Sequence, residues 1–549
     1  MLFTLALALI QAPAPAQQAL PDSTRVAINR VFATWSSSNT PGCAAGIARN
    51  GETIFQNGYG MANLEHDVPI TPASIFHVAS VSKQFTAMAI MLLAGDGKLS
   101  IDDSVRKFLP ELPNYGHTIT IRHLLTHTSG LRDQWDLLIM ARGGRFEENR
   151  ITEGDVLEIV SRQKALNFVP GSEYLYSNTG FTLLGTIVRR VSGKSLRAFA
   201  EERIFRPLGM RNTHFHDDYT MVVRGRAAGY APQGRQWRVS LPNYDTYGAT
   251  SLFSTVGDLL TWEANLAKPS VGTEPLVRDM VTSVTLTNGD STAYGYGMSV
   301  EPYRGTRLIG HGGADAGYRT YVARAPEHGL AVVVLCNAAS ANPGGLAREM
   351  IDVLVGSKLA ALTPPFRPTL ILTAEQLAPF AGVYQHPLTG APQVITLRGD
   401  SLVLGRVNGP ALLPMSENRF KVRNQPAELE FTADGSVIQT ALGWPARTPV
   451  TSKRVAAAPI QMTKAELERY AGSYYSEELG ATWTVAATDS TLVLQSRWGN
   501  DRTVRSVFGD TFAGDYLLRF TRGKGGKIDG MLMSSGRVRG VRFDRAQPR

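Results

Sequence analysis

The chain has 549 residues, 56 Lys and Arg against 47 Asp and Glu, 43% hydrophobic residues and two cysteines. That length and composition suffice for one large core and two small ones. The net charge of +9 comes with no nucleic-acid-binding motif, and no internal segment is long and apolar enough to span a bilayer, so nucleic-acid partners and an integral membrane span are not expected.

The first predicted element is an export signal over residues 1–16. Residues 2–10 are an apolar run, Ala14-Pro15-Ala16 is a small-residue cleavage signature, and Gln17 is the expected first mature residue. No Lys or Arg precedes the run, so the true start codon stays open. A periplasmic or extracellular location is expected.

The next element is a helix that opens near Ser80-Val81-Ser82-Lys83, runs through an apolar stretch over residues 85–94 and stops at Gly95-Asp96-Gly97. Residues three apart share a helix face, which brings the Ser80 hydroxyl within reach of the Lys83 amine. Burial lowers a lysine pKa and frees a neutral amine for proton transfer. Ser104-Val105-Arg106-Lys107 and Ser161-Arg162-Gln163-Lys164 match the same pattern. The first lies in a polar connection and the second ends a short charged helix, so neither opens a long apolar helix.

Further along, Tyr176-Ser177-Asn178 stands on a loop before an apolar helix over residues 181–191. It offers a second proton-transfer group and a side-chain amide. His127 reads as a structural histidine, and His214-Phe215-His216-Asp217-Asp218 as a turn rather than a metal site. His311-Gly312-Gly313 follows a strand over residues 306–309 and precedes a hairpin of residues 318–324 and 330–335. Paired glycines there suggest close backbone approach to a ligand. Cys43 and Cys336 both fall in expected strands, and two buried thiols are favoured over a disulfide.

Residues 362–373 are Pro-rich and read as a linker. Beyond them the chain repeats. Leu-Ala-Pro-Phe-Ala-Gly-Val-Tyr, ending at Tyr384, recurs as Leu-Glu-Arg-Tyr-Ala-Gly-Ser-Tyr, ending at Tyr474. Short β-rich runs alternate with turn residues, which predicts two small antiparallel, lipocalin-like barrels over residues 374–455 and 463–549, or one larger barrel built from both. Basic residues crowd the end of the chain from Arg519 to Arg549. They read as a solvated barrel edge whose charges discourage strand pairing.

At Ser80-Val81-Ser82-Lys83, Tyr176-Ser177-Asn178 and His311-Gly312-Gly313 the chain resembles the serine β-lactamase and penicillin-binding superfamily. The resemblance is to its class C-like branch of D-aminopeptidases, D-Ala-D-Ala carboxypeptidases and esterases. Leu124-Leu125-Thr126-His127-Thr128-Ser129-Gly130-Leu131, Pro207-Leu208-Gly209-Met210 and the segment from Leu252 to Leu259 are similar to the same branch. The resemblance implies an α+β catalytic domain over residues 24–361, with an antiparallel sheet flanked by helices and an all-helical part. D-aminopeptidases of the family look similar in carrying two barrels behind it.

The resemblance also implies the chemistry. Ser80 is the expected nucleophile, and Lys83 and Tyr176 share its proton, the formal base being left open. Asn178 is expected to bind the substrate amide and steady Lys83. His311, Gly312, Gly313 and Ala314 form the substrate strand, with the backbone N–H groups of Ser80 and Ala314 as oxyanion donors. No cofactor or metal is expected. His311 replaces the lysine of the branch's Lys-Thr-Gly motif, so weak action on β-lactams is expected, with Arg319 a nearby substitute for the missing charge.

The expected substrates are D-amino-acid amides, peptides, cell-wall-derived ones among them, or small esters. A penicillin-binding sensor that acylates without turnover and a weak β-lactamase or DD-carboxypeptidase are the alternatives. For an aminopeptidase, Asp315, Glu477 or Glu478 would have to hold the substrate ammonium. The oligomeric state and the entry of a barrel loop into the site are left open.

Overall fold

The computed structural model describes residues 20–142, 150–362, 364, 366–368, 370–405, 409–441, 447–456, 462–497 and 501–546. The expected signal peptide lies outside the described residues. A six-stranded antiparallel sheet organises the first part of the chain, in the order Ser299–Tyr303, Thr306–Asp315, Tyr318–Ala325, Leu330–Cys336, Cys43–Arg49, Glu52–Tyr59. The Leu330–Cys336 strand, Leu-Ala-Val-Val-Val-Leu-Cys, is buried along its whole length, as a central strand covered on both faces must be.

Successive residues of that strand serve opposite faces. Val332 and Val334 pack with Ile28, Met350 and Ile351 of the Asp22–Val31 and Pro343–Val355 helices. Val333 and Leu335 belong to the core shared with Val256 and Leu260 of the Val256–Ala267 helix. Local chemistry sets the helix ends. Thr255 caps Val256–Ala267 by accepting from the Asp258 N–H, and Asn342, followed by Pro343, caps Pro343–Val355 by accepting from the Gly345 N–H.

The helical part is built around Ser82–Gly95 packed on Asn178–Ser192. Ser82–Gly95 buries nearly every side chain, which explains why it is apolar all round. Asn178–Ser192 ends at Gly193 in the left-handed region, φ 72°.

Several expectations need correction. Cys43 and Cys336 face each other across adjacent strands in direct register, and they form a disulfide rather than two thiols. Strand pairing between residues 293 apart leaves no local trace in a sequence. His311-Gly312-Gly313 does not follow a strand, because Thr306–Asp315 continues unbroken through it. His214 and Phe215 form a short strand paired with Leu252–Ser254 instead of a turn.

The C-terminal region is two closed eight-stranded antiparallel barrels, not one larger barrel. The first runs from Gly382–Gln385 to Val450–Val455 and closes through Val383 opposite Val455. The second runs from Gly472–Ser476 to Val541–Arg545 and closes through Tyr474 opposite Arg545.

The repeat has a physical basis. Thr373 with Gln376, and Thr463 with Glu466, make capping boxes that start a helical turn before each barrel. The hydroxyls of Tyr384 and Tyr474 then donate back to the carbonyls of Phe380 and Tyr470, at 2.9 and 2.7 Å.

The second barrel is welded to the helical part. Its interior joins the same hydrophobic cluster as the Ser82–Gly95 and Asn178–Ser192 helices, whereas the first barrel keeps a core of its own. Arg132 Nη1 donates to Glu478 Oε2 at 2.6 Å, with both side chains almost wholly buried, and Trp483 Nε1 donates to the Met140 carbonyl at 2.8 Å. The loop of residues 535–540 lies over the helical part. Ser535 Oγ and the Arg537 N–H donate to Asp136 Oδ2, at 2.6 and 2.9 Å. Arg539 pairs with Glu173 at 3.0 Å. The basic end of the chain is therefore not a uniformly solvated edge. Part of it is an interface.

Candidate active site

The site begins with a strained turn. Ala79 sits at φ 50°, where a Cβ is disfavoured at a cost of about 1–3 kcal/mol. Three bonds hold it there: Ala79 N–H to His77 Nδ1 at 3.2 Å, Ser82 Oγ to the Ala79 carbonyl at 2.5 Å, and Thr320 Oγ1 to the Val78 carbonyl at 2.8 Å. The turn lifts Ser80 at the entrance to the Ser82–Gly95 helix.

Behind it, Lys83 is completely buried. Its Nζ donates to Ser80 Oγ at 3.1 Å, Asn178 Oδ1 at 2.9 Å and the Ala249 carbonyl at 2.7 Å. All three partners are neutral. Burial pushes the amine well below the usual lysine range, Asp133 opposes that and Arg537 adds to it.

Asn178 is oriented from below. Asp133, wholly buried, accepts from its backbone N–H at 2.7 Å and its Nδ2 at 2.9 Å. That fixes the amide so that Oδ1 faces Lys83. Burial raises the Asp133 carboxyl above its ordinary value, with Arg537 and the Asn178 N–H bond pulling the other way.

Tyr176, half-buried, packs against His127, ring centroids 4.2 Å apart, and Lys83 Nζ lies 4.8 Å from its centroid. Burial drives its phenol strongly upward, and contact with the Ser80 side chain offsets part of this. His127 Nδ1 accepts the Ser177 N–H at 3.1 Å, which makes it the strut beneath this segment.

Across the cleft, the Thr306–Asp315 strand pairs with Ser299–Tyr303 only as far as Gly310. Residues 311–315 therefore have one strand neighbour and a free edge on the other side. Gly313 lets this edge close on the turn. A Cβ there would stand 2.4 Å from the Val78 carbonyl oxygen and 2.3 Å from Thr320 Oγ1. His311 is buried, with Nε2 2.9 Å from the Tyr294 hydroxyl and Nδ1 2.5 Å from the Gly312 carbonyl. Desolvation, then Lys83, push its pKa down to about 3. Both influences favour the neutral ring.

Ser80, Tyr176, Asn178, His311, Gly312, Gly313 and Ala314 line one cavity of about 1200 Å³, with Lys83 behind Ser80. Asp315 lines it too, accepting from the Tyr244 hydroxyl and from Thr250 Oγ1. Glu478 and Glu477 do not. The first is bound to Arg132 and the second pairs with Lys164 at the surface. Among the described residues neither the Ser104 nor the Ser161 hydroxyl bonds a lysine amine: Lys107 Nζ pairs with Asp103, Lys164 Nζ with Glu477, and Ser161 Oγ donates to the Glu158 carbonyl.

Two residues escaped the sequence reading. Asp133 follows Leu131-Arg132 immediately after the Thr-His-Thr-Ser-Gly segment, and a buried acid there was a readable signal. Arg537 comes from the second barrel and lines the cavity, its guanidinium 5.0 Å from the Tyr176 ring centroid. One basic loop residue among many gave no such signal. Among the described residues, no cluster of His, Cys, Asp and Glu fit for a metal ion occurs.

The chain has relatives among known proteins. Residues 27–356 match the family model described as Beta-lactamase. A D-aminopeptidase of Brucella canis is 24% identical over 526 residues, covering 92% of this chain and 96% of that protein. A D-aminopeptidase of Gluconobacter oxydans is 27% identical, covering 72% and 73%. The octameric penicillin-binding protein homologue from Pyrococcus abyssi superposes with a TM-score of 0.55 and 26% identity, covering 79% of this chain and 99% of that one. Matched by a family model over more than half its length, the chain belongs to the Beta-lactamase family of serine hydrolases.

Proposed function

We propose that the protein is an exported hydrolase that cleaves D-amino-acid amides, short peptides or small esters through an acyl-enzyme on Ser80. The observation that carries this is the buried Lys83 Nζ, 3.1 Å from Ser80 Oγ and ringed by neutral acceptors. A buried amine without an adjacent carboxylate favours its neutral form, whose two N–H groups are spent on Asn178 Oδ1 and the Ala249 carbonyl, leaving its lone pair to accept the Ser80 proton.

Ser80 Oγ attacks the substrate carbonyl while its proton passes to Lys83. The phenol of Tyr176, kept protonated by burial, relays that proton to the leaving amine or alcohol. Backbone N–H groups of Ser80 and Ala314 receive the oxyanion. Water then attacks the acyl-enzyme by the reverse relay, regenerating the Ser80 hydroxyl and releasing the acid. Asn178 binds the acyl-side amide. Asp315 is the one of the three expected acids that lines the cavity, and it holds a substrate ammonium. The D-aminopeptidase relatives support this substrate class.

Export is supported by the disulfide, a bond that persists in oxidising compartments, and by the leader-like residues 1–16. Purified protein offered D- and L-amino-acid p-nitroanilides and p-nitrophenyl esters tests the reading. Preferential, Ser80-dependent release from D-anilides or from esters is expected. Turnover that survives Ser80→Ala, or none on the whole panel, contradicts it.

A further inference from the structure

The charges lining the cavity are unequally spent. Arg502 is bound to Asp515 at 2.9 Å. Arg319 Nη1 donates to the Ala316 and Tyr318 carbonyls. Arg537 is different. Its backbone is fully anchored, with the N–H on Asp136 and the carbonyl accepting from Asn167 Nδ2 at 2.9 Å and from the Asp133 N–H at 3.3 Å. Its guanidinium donates no hydrogen bond among the described residues. The nearest carboxylate oxygen, Asp133 Oδ2, is 3.8 Å away, and that oxygen already accepts twice from Asn178. The side chain is 43% exposed.

A guanidinium fork held on a rigid backbone, with its donors unspent, is suited to bidentate capture of a planar anion. Its place says which part of a substrate it meets. It lies over Tyr176, the group assigned to protonate the leaving amine, in the cavity that the His311-Gly312-Gly313 strand also lines. The cavity, at about 1200 Å³, has room for a peptide beyond the scissile bond.

We propose that Arg537, delivered by the second barrel, is a specificity-determining residue that binds a carboxylate on the leaving-group arm of the substrate. Substrates ending in a free carboxylate just past the scissile bond, such as D-aminoacyl dipeptides, are then preferred over their neutral amides. The proposal rests on the Ser80 reading for its orientation. It also supplies a cation to a site that carries histidine in place of a cationic third-motif residue. The cation comes from another domain.

A matched pair differing only in that group, D-alanylglycine and D-alanylglycinamide, tests it in the full-length protein. The wild type is expected to favour the carboxylate in kcat/KM by about tenfold or more, as one charge-assisted contact allows. Arg537→Ala should erase the preference, Arg537→Glu should reverse it, and Arg537→Lys should retain part of it. A general loss through Lys83 lowers both substrates alike and leaves their ratio untouched. An unchanged ratio in Arg537→Ala and Arg537→Glu overturns the proposal.

Calorimetric binding of the same two ligands to Ser80→Ala protein, with and without Arg537→Ala, gives a reading that needs no turnover. Equal affinity for the two ligands, or no binding of either, also overturns it. Failure of wild-type turnover on both, with the binding preference intact, instead removes the hydrolase reading and leaves the anion site standing.

Discussion

Gly313→Ala puts the geometry of the nucleophile turn to a quantitative test. The added Cβ would stand 2.3 Å from Thr320 Oγ1, 2.4 Å from the Val78 carbonyl oxygen and 3.0 Å from the Ala79 Cβ. Thr320 Oγ1 and the Val78 carbonyl are themselves bonded at 2.8 Å, so neither can swing aside without breaking the bond that holds Ala79 at positive φ. Relief requires the strand and the turn to part by about 1 Å. Overpacking of this kind costs about 1–3 kcal/mol of stability. The larger effect falls on catalysis, because parting the strand from the turn separates Ser80 from the N–H of Ala314. A misplacement of about 1 Å costs on the order of 100-fold in rate. Steady-state kcat/KM on the best substrate, beside thermal unfolding, reads both. A deep loss of kcat with a modest fall in Tm is expected. Undiminished activity would refute the claim that Gly313 sets the distance between nucleophile and oxyanion strand.

Four further outcomes are expected. Glu478→Ala leaves Arg132 buried without its carboxylate, at a cost of about 3–5 kcal/mol; denaturant unfolding should show it, and an unchanged midpoint contradicts the docking of the second barrel. Asp133→Asn keeps one oxygen for the two Asn178 donors but sets an NH2 where Oδ1 accepts the Trp135 N–H, and losing an acceptor for a buried polar group costs about 1–3 kcal/mol, so kcat should fall far more than KM rises. The pH profile should lack a histidine limb near 6.5. His311 is held down to about 3, and activity instead rises through the depressed Lys83 pKa and holds on the alkaline side, because Tyr176 titrates above its ordinary value. For stability the sign follows from His77, at about 4, and His311, at about 3. The unfolded chain binds more protons between those values and 6.5, so Tm falls as pH drops through that window; a Tm constant from pH 6.5 to 4 would count against it.

What the sequence discloses and what it hides divide along contact distance. Ser80 and Lys83 are three residues apart on a helix start, so their meeting is a local matter. The barrel repeat is legible because the capping boxes at Thr373 and Thr463 and the back-donating Tyr384 and Tyr474 are local too. The Cys43 to Cys336 disulfide depends on which strands become neighbours, and the alternative of two thiols could not be removed without that register. Arg537 shows the limit most clearly. In composition it is one of many basic residues on a barrel, and only the docking made by Arg132, Glu478 and Asp136 turns it into a cavity residue. Gln134, with both side-chain polar atoms buried and unpartnered beside Asp133, has no physical account in the structure.

The proposed chemistry begins at the Ser80 hydroxyl. Intact-mass analysis of the protein after exposure to a fluorophosphonate, followed by peptide mapping, measures this directly. A single adduct on Ser80, absent from Ser80→Ala, is expected. An adduct that persists in Ser80→Ala, or maps to another residue of the wild type, would contradict it.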